Sequence, residues 1–258
     1  NVRVLYSEGC HLYRDRTSNL AMEHDRDSEV RAVCEASDVV IAVVGLDATL
    51  EGEEGDTGNE YGSGDKPNLN LPGLQPDIIR IAKESGKPVI VVLLAGSAMA
   101  LSWEDEHVDA ILDGFYPGAQ GGAAIAEILF GGANPEGKLP ITFYQTTEEL
   151  PEFTDYAMKG RTYRYMENEA LYPFGYGLSY TTYAYGNLEC VKPFDAQDGI
   201  TLQVTVTNTG DREGTETLQV YVKAKREGTP NPQLKYVKKI TLKPGESVTE
   251  EKDRKSVV

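Results

Sequence analysis

Cysteine and histidine are scarce in this sequence, with three residues of each type. They are too few and too scattered for a disulfide framework or for the spacing of a zinc site. The residues are Cys10, Cys34 and Cys190, and His11, His24 and His107. We therefore predict buried free thiols, histidines with packing or surface roles, and a protein that uses neither metal nor cofactor.

Positive charge is also in short supply. The chain has 25 lysines and arginines against 41 aspartates and glutamates, so its net charge is −16 and its pI is near 4.6. This balance disfavours binding to nucleic acid and to anionic membrane surfaces. No apolar run reaches the roughly 18 residues that a membrane-spanning helix requires. No secretory leader is visible, but a chain that begins at Asn1 leaves the compartment open.

The first half of the chain alternates apolar runs with helical patterns. Runs that are apolar throughout are typical of parallel strands covered on both faces, and they occupy residues 39–44, 88–95 and 110–113. Stretches with apolar residues at helical spacing occupy 28–36, 74–85 and 121–130. Ser28 is the expected N-cap of the first helix, and alternation over 1–6 predicts one more strand. The pattern predicts an α/β fold with a mostly parallel sheet sandwiched by helices.

The second half of the chain has a different composition. Residues 133–180 are rich in proline, glycine and tyrosine without a long periodic run, so we predict an extended connection there. From Ile200 onward apolar and polar residues alternate, with turn sequences at 208–211 and 244–245, and this predicts an antiparallel β-sandwich. About 60 residues follow Ile200, fewer than the roughly 100 of such a domain. We therefore expect an incomplete sandwich, in which charges from Glu250 onward end the alternation.

The stretch from Leu50 to Pro72 separates a predicted strand from the next helix and has no hydrophobic period. It includes three closely spaced glutamates, Glu51, Glu53 and Glu54. Ligands of open α/β sheets bind beyond the carboxyl ends of strands, where this loop lies. Crowded carboxylates repel unless one is protonated or faces a ligand, and a carboxyl group with a raised pKa can act as a general acid. A solvated acidic loop explains the same composition.

Other motifs favour structural interpretations. Ser97 lacks the two-glycine bracket of a nucleophile elbow, so a serine hydrolase is disfavoured. Residues 118–122 open a helix that could bind an anion, but close helix packing explains their glycines better. Residues 159–165 mix cations with aromatics and fit a sugar-binding or an interdomain surface equally well. Asp38 opens a buried strand and is interpreted as structural.

Four stretches of sequence, in this order and spacing, make the chain resemble glycoside hydrolase family 3, the β-glucosidase and β-xylosidase family. They are VGLD, LEGEE and LPGLQ within 44–75, YPGAQGG at 116–122, NPEGKLPITF at 134–143 and LYPFGYGLSY at 171–180. The resemblance covers roughly residues 36–245. It implies an α/β sandwich domain at 1–145, an ordered connection at 146–182 and a truncated fibronectin type III-like domain at 183–258.

The resemblance implies retaining hydrolysis by two carboxyl groups about 5–5.5 Å apart. In the family, an aspartate nucleophile lies on a barrel domain, which we expect outside this chain, and a glutamate acid/base lies in the loop after the strand. Position within the loop favours Glu53, with Glu54 as the alternative, and in an extended segment these two side chains face opposite ways. The expected partners are a β-linked oligosaccharide or glycoside and the barrel domain of the same polypeptide.

The implied activity is hydrolysis of terminal non-reducing β-D-glucosyl or β-D-xylosyl residues. On this interpretation the chain is the acid/base-bearing fragment of a glycosidase and is inactive without its nucleophile. The second hypothesis is a non-catalytic carbohydrate-binding or scaffold module of the same fold. The crowded glutamates favour the enzyme, because a scaffold has no need of carboxylates at the ligand-binding edge of a sheet. The sequence leaves the substrate-binding residues unassigned.

Overall fold

The structure is a computed structural model that describes residues 2–15, 18, 20–52, 66–195, 199–223, 225 and 229–254. The chain divides into two compact units. The first comprises Asn1–Ile125, Thr142–Tyr156 and Glu169–Tyr172, and the second comprises Ala126–Ile141, Ala157–Asn168 and Pro173–Val258. In the described part of the chain, every helix is too short or too polar to cross a membrane.

The first unit is built on a three-stranded parallel sheet with the strand order β1-β2-β3. Helices and strands alternate along the chain, which confirms the predicted α/β fold. The elements are α1 (Asp27–Glu35), β1 (Val40–Gly45), α2 (Gln75–Glu84), β2 (Val89–Leu94), α3 (Ser102–His107) and β3 (Ala110–Asp113). Helix α4 (Gly121–Leu129) follows β3, and a 3-10 turn occupies Thr147–Glu149.

A hydrophobic core joins this sheet to helices α1 and α2. Its buried members are Val30, Cys34, Ile81, Ala82 and Val89. Burying side chains of this size stabilises a fold by about 1.5–3 kcal/mol each, so this core holds both helices on the sheet. We predicted that helices cover both faces of the sheet. In the described part of the chain, however, Ile41 and Val43 of β1 are 44 % and 62 % exposed.

Two local predictions in this unit are wrong. Residues 2–6 form no strand in the structure, because alternation alone does not supply the partner strand that pairing requires. Ser28 is not an N-cap, since α1 follows Arg26 and begins at Asp27 without a side-chain cap hydrogen bond. The acidic residues Asp27 and Glu29 in its first turn favour the helix instead, because they face the positive end of the helix dipole.

The second unit contains antiparallel strands in a three-stranded sheet of order β4-β5-β8 and a two-stranded sheet of order β6-β7. The strands are β4 (Tyr183–Asp195), β5 (Gly199–Asn208), β6 (Gly214–Val222), β7 (Gln233–Leu242) and β8 (Ser247–Arg254). A short helix, α5 (Thr162–Tyr165), belongs to the same unit. These two sheets confirm the predicted all-β region after the α/β region.

The core of the second unit consists of inward-facing residues from three strands. Val206, Leu218, Ile240 and Leu242 are buried together. The prediction that charges from Glu250 onward end the alternation is wrong, because β8 continues to Arg254 and pairs with β5. Strand β8 lies at the edge of its sheet, and exposed charges are typical of edge strands.

The three cysteines are free thiols, as predicted, but they differ in burial. Cys34 is buried and Cys10 is partly buried, whereas Cys190 is exposed, so the prediction of buried thiols is wrong for Cys190. Burial, together with the nearby carboxylates of Asp27 and Asp77, raises the pKa of Cys10 to about 11. The Cys10 thiol is therefore protonated at neutral pH and is a poor nucleophile.

Candidate functional site

The carboxyl ends of the three parallel strands lie side by side. Gly45 pairs with Leu94, and Leu93 pairs with Asp113, so β1, β2 and β3 end at the same edge of the sheet. The chain after each strand therefore meets the chain after the others, as in other open α/β sheets. The residues described next come from these three connections.

The connection after β1 begins with a fixed turn. The buried Gln75 side chain accepts a hydrogen bond from the Gly45 N–H and donates to the Gly45 carbonyl, at 2.7 and 2.9 Å. Asp47 then caps a tight turn by accepting hydrogen bonds from the N–H and hydroxyl of Thr49. Leu50 follows and is fully buried. This local anchoring turns the chain back and directs Glu51 toward the loops after β2 and β3.

The Glu51 carboxylate joins all three connections. Its Oε2 accepts a hydrogen bond from the Gly96 N–H at 2.9 Å and another from the Tyr116 hydroxyl. Its Oε1 accepts a hydrogen bond from the Ser97 hydroxyl. Gly96 and Ser97 follow β2, and Tyr116 follows β3. Both carboxylate oxygens are thus occupied by protein donors.

Gly96 is required by the closeness of this arrangement. A Cβ atom at this position would lie 2.7 Å from Cε2 of Tyr116 and 3.0 Å from Oε2 of Glu51. Phe115 adopts a left-handed backbone conformation, with φ of 48°, in the sharp turn that brings Tyr116 over Gly96. Tyr116 itself remains 50 % exposed, so its ring lies at the surface of the site.

The hydrogen bonds determine the charge state of Glu51. Burial acts to raise its pKa, but the donors Ser97, Tyr116 and Gly96, with the nearby Lys66, outweigh burial and lower the pKa overall. Burial and the hydrogen bond to Glu51 raise the pKa of Tyr116. An ionised carboxylate therefore accepts from a neutral phenol. Glu51 has no proton to donate near neutral pH, which makes it a poor general acid.

Lys66 lies against the same turn after β2. Its Nζ donates to the Ala98 carbonyl at 2.9 Å and contacts Met99 Sδ at 3.1 Å. Burial lowers the pKa of Lys66 to about 8, and attraction to Glu51 opposes that shift. The lysine is therefore mostly charged at neutral pH and offsets part of the charge of Glu51.

Two further carboxyl groups in this unit have raised pKa values. Burial raises the pKa of Asp113, the last residue of β3, against a hydrogen bond from the Phe115 N–H. Burial also raises the pKa of Glu104 in α3. Among the residues that the structure describes, no three side chains of the metal-ligating types are grouped to hold a metal ion.

The predicted acid/base residues, Glu53 and Glu54, lie outside the described residues. Glu51, the first glutamate of the motif, is a hydrogen-bonded anchor. Ser97 donates to that anchor and is not part of a nucleophile elbow. Sequence reasoning assigned no role at the site to Tyr116 or Lys66. Tyr116 could have been found, because it follows a predicted strand and begins one of the quoted motifs.

A family model, similar sequences and a similar solved structure all indicate the same family for this chain. Residues 9–180 match the glycosyl hydrolase family 3 C-terminal domain. A xylan 1,4-beta-xylosidase from Xylanibacter ruminicola is 44 % identical over 81 % of this chain, and a periplasmic beta-glucosidase from Salmonella typhimurium is 38 % identical over 96 %. The solved structure of a β-glucosidase from Erythrobacter marinus matches 93 % of the chain with a TM-score of 0.77 and 32 % identity.

These relatives are considerably longer than the region they share with this sequence. The chain spans 24 % of the xylosidase, 35 % of the periplasmic glucosidase and 33 % of the Erythrobacter glucosidase. The match to the family nevertheless extends over more than half of the chain and includes the site at the sheet edge. The chain therefore belongs to the family of glycosyl hydrolase family 3 C-terminal domains.

Proposed function

We propose that this chain supplies the general acid/base of a retaining β-glycosidase that hydrolyses terminal non-reducing β-D-glucosyl or β-D-xylosyl residues. Glu53 is the acid/base, with Glu54 as the alternative. The nucleophile belongs to a barrel domain outside residues 1–258. Within them, we propose a sandwich domain at 1–145, a connection at 146–182 and a fibronectin type III-like domain at 183–258.

The observation that carries this proposal is the hydrogen bonding of Glu51. A general acid must carry a proton and present it to the leaving oxygen, which requires a raised pKa and a free oxygen. Glu51 has a lowered pKa, and both of its oxygens accept hydrogen bonds from the protein. Of the three clustered glutamates, this leaves Glu53 and Glu54 for the acid. They follow Glu51 in the sequence, in the same connection after β1, and ligands of open α/β sheets bind beyond the ends of strands.

The relatives support a sugar substrate. Two similar enzymes are named for xylosidase and glucosidase activity, and these pentose and hexose substrates differ by one hydroxymethyl group. Both reactions break a bond between an anomeric carbon and an oxygen leaving group, so they need the same acid. We therefore propose the same role for this chain with either sugar.

The leaving group provides the test. A disaccharide releases a poor leaving group that needs protonation, whereas an activated aryl glycoside releases one that departs with little help. In a polypeptide that joins this chain to the barrel, Glu53→Ala should slow cellobiose or xylobiose hydrolysis by about 10²–10⁴-fold. The glycosylation step on an activated aryl glycoside should change far less.

Three alanine variants locate the acid. Glu54→Ala is the matched control, because it removes an adjacent carboxylate and should keep the wild-type ratio between the two substrates. Asp113→Ala tests the nearby carboxyl group whose pKa is raised. Selective loss in Glu54→Ala would move the assignment by one residue. A selective loss of disaccharide hydrolysis in Asp113→Ala, or in none of the three variants, would overturn the assignment to this loop.

A further inference from the structure

The turn that follows β2 contacts the chain both at Glu51 and at Lys66, the residues on either side of an acidic segment of the sequence. On the N-terminal side, Glu51 accepts hydrogen bonds from the Gly96 N–H and the Ser97 hydroxyl. On the C-terminal side, the Lys66 ammonium donates to the carbonyl of Ala98. One short turn at the sheet edge thus contacts the last part of the chain before the segment and the first part after it.

The two contacts differ in how strongly they restrict Glu53. Glu53 follows Glu51 by two residues in the sequence, and an extended chain advances at most about 3.5 Å per residue, so this covalent connection spans at most about 7 Å between Cα atoms. The same rule allows about 45 Å between Glu53 and Lys66, which is more than the width of a small domain. Fixing Glu51 therefore limits the position of Glu53 closely, and fixing Lys66 limits it little.

We propose that Glu51, held by Tyr116 and Ser97, is a positioning residue for the acid/base, an inference that rests on the proposed function of Glu53. The Glu51 carboxylate fixes the chain two residues before the catalytic carboxyl group, and its donors come from the connections after both neighbouring strands. A misplacement of about 1 Å in a catalytic group can cost roughly 10²-fold in rate. On this proposal Glu51 affects the rate through Glu53 and not through a proton of its own.

The matched control lies at the opposite edge of the same sheet. Asp109 also accepts hydrogen bonds from a backbone N–H and a charged side chain, namely Val89 at 2.8 Å and Lys83 at 3.2 Å. Its carboxylate likewise joins neighbouring elements, but it precedes β3 and is remote from the carboxyl ends of the strands. Asp109→Asn therefore removes a similar anchor without disturbing the proposed site.

The experiment combines single and double variants in the polypeptide that joins this chain to the barrel. Glu51→Gln should lower kcat/KM for cellobiose or xylobiose by roughly 10²-fold and change kcat/KM for the activated aryl glycoside, which reports the glycosylation step, much less. Tyr116→Phe should change the same ratio in the same direction by a smaller factor, because it removes one of three donors. Asp109→Asn should keep the wild-type ratio. Thermal unfolding of each variant measures any loss of stability separately.

The double variant Glu51→Gln/Glu53→Ala separates positioning from other roles. If Glu51 acts through Glu53, its replacement should have no further effect on the disaccharide once Glu53 is alanine. Multiplied losses in the double variant, or equal losses with both substrates, would overturn the positioning role. Failure of the proposed function can be told apart from failure of the positioning role. If Glu53 is not the acid/base, the single variant Glu53→Ala keeps the wild-type ratio between the two substrates.

Discussion

Each unit of the molecule contains a polar side chain that ties several loops together, and the two differ in charge and burial. Glu51 in the parallel unit is ionised, partly exposed and held by a backbone N–H and two hydroxyl groups. Asn208 in the antiparallel unit is neutral and fully buried. Asn208 accepts from the Thr181 hydroxyl at 2.8 Å and donates to the carbonyls of Arg212 and Leu242, at 2.8 and 2.9 Å.

The difference shows what each arrangement is suited to do. Asn208 satisfies buried groups of its own turn, and such groups cost much free energy when left without a partner. Glu51 holds groups that solvent can reach if it is lost, so its contribution to stability is smaller. Its charge instead suits it to accept hydrogen bonds from the connections after β2 and β3, and so to fix the connection after β1 at the sheet edge. Asn208 is therefore expected to matter for folding and Glu51 for catalysis.

The largest expected effect on stability comes from Asn208→Ala. This change leaves the carbonyls of Arg212 and Leu242 and the Thr181 hydroxyl without their buried partner. We expect a loss of about 3 kcal/mol in the free energy of unfolding, measured with urea.

The comparison variant is Glu51→Gln, which should cost about 1 kcal/mol because solvent replaces part of what is lost. Equal losses in Asn208→Ala and Glu51→Gln would contradict the distinction between the two side chains.

A smaller effect should appear in the pH dependence of the charged site. The pKa of Lys66 is lowered to about 8 in the folded protein, so between pH 8 and its ordinary value near 10.5 the unfolded chain binds more protons. Stability from this group therefore rises with pH across that window. Between pH 7.5 and 9.5 the wild type should gain about 1 kcal/mol relative to Lys66→Met, since solvent screens part of the full effect.

Subtracting the Lys66→Met curve removes the titration of Cys10 and of the tyrosines, which are common to both proteins. A wild type that does not gain relative to Lys66→Met would show that Lys66 is not buried as described. Asn208→Ala, which changes no charge, should run parallel to the wild type over the same pH range.

The smallest effect should come from Thr209→Ala, next to Asn208. The Thr209 hydroxyl exchanges a hydrogen bond of 2.8 Å with that of Thr182, and the pair is exposed. Water replaces an exposed partner, so the free energy of unfolding should change by less than about 0.5 kcal/mol. A loss as large as that of Asn208→Ala would show that burial does not explain the importance of this turn.

Most of the fold follows from the sequence because the patterns are long. The apolar runs that became β1, β2 and β3 and the helical spacing of α2 predict their elements within one or two residues. Strand β4 was not predicted, and residues 250–254 were expected to break the pattern. Strand β4 pairs with the neighbouring β5 through a register interrupted by irregularities, which disrupt a simple alternation. Residues 250–254 instead depend on pairing with residues 200–204 of β5, which are distant in the sequence. Local composition contains no record of that partner.

The sequence predicted a site in the connection after β1, and the assignment of the acid/base to Glu53 or Glu54 stays a prediction. The structure describes Glu51 of this connection at the carboxyl ends of the strands. The hydrogen bonds that Gly96 and Tyr116 donate to Glu51 could not be inferred, because they depend on which atoms meet across three connections. Only the place of Tyr116 after a predicted strand marked it as a candidate. The separate roles of the glutamates likewise depend on hydrogen-bond donors that follow Glu51 by 45 to 65 positions. Spacing within the loop contains none of this information.

The most direct test of the account is rescue by azide in the polypeptide with its barrel. Azide attacks the glycosyl-enzyme without needing a base, so it should restore turnover of an activated aryl glycoside by Glu53→Ala and yield a β-glycosyl azide. We predict this product for Glu53→Ala, and its absence for Glu54→Ala, in which Glu53 still activates water. A glycosyl azide formed by Glu54→Ala alone, or by none of these variants, would contradict the assignment of Glu53.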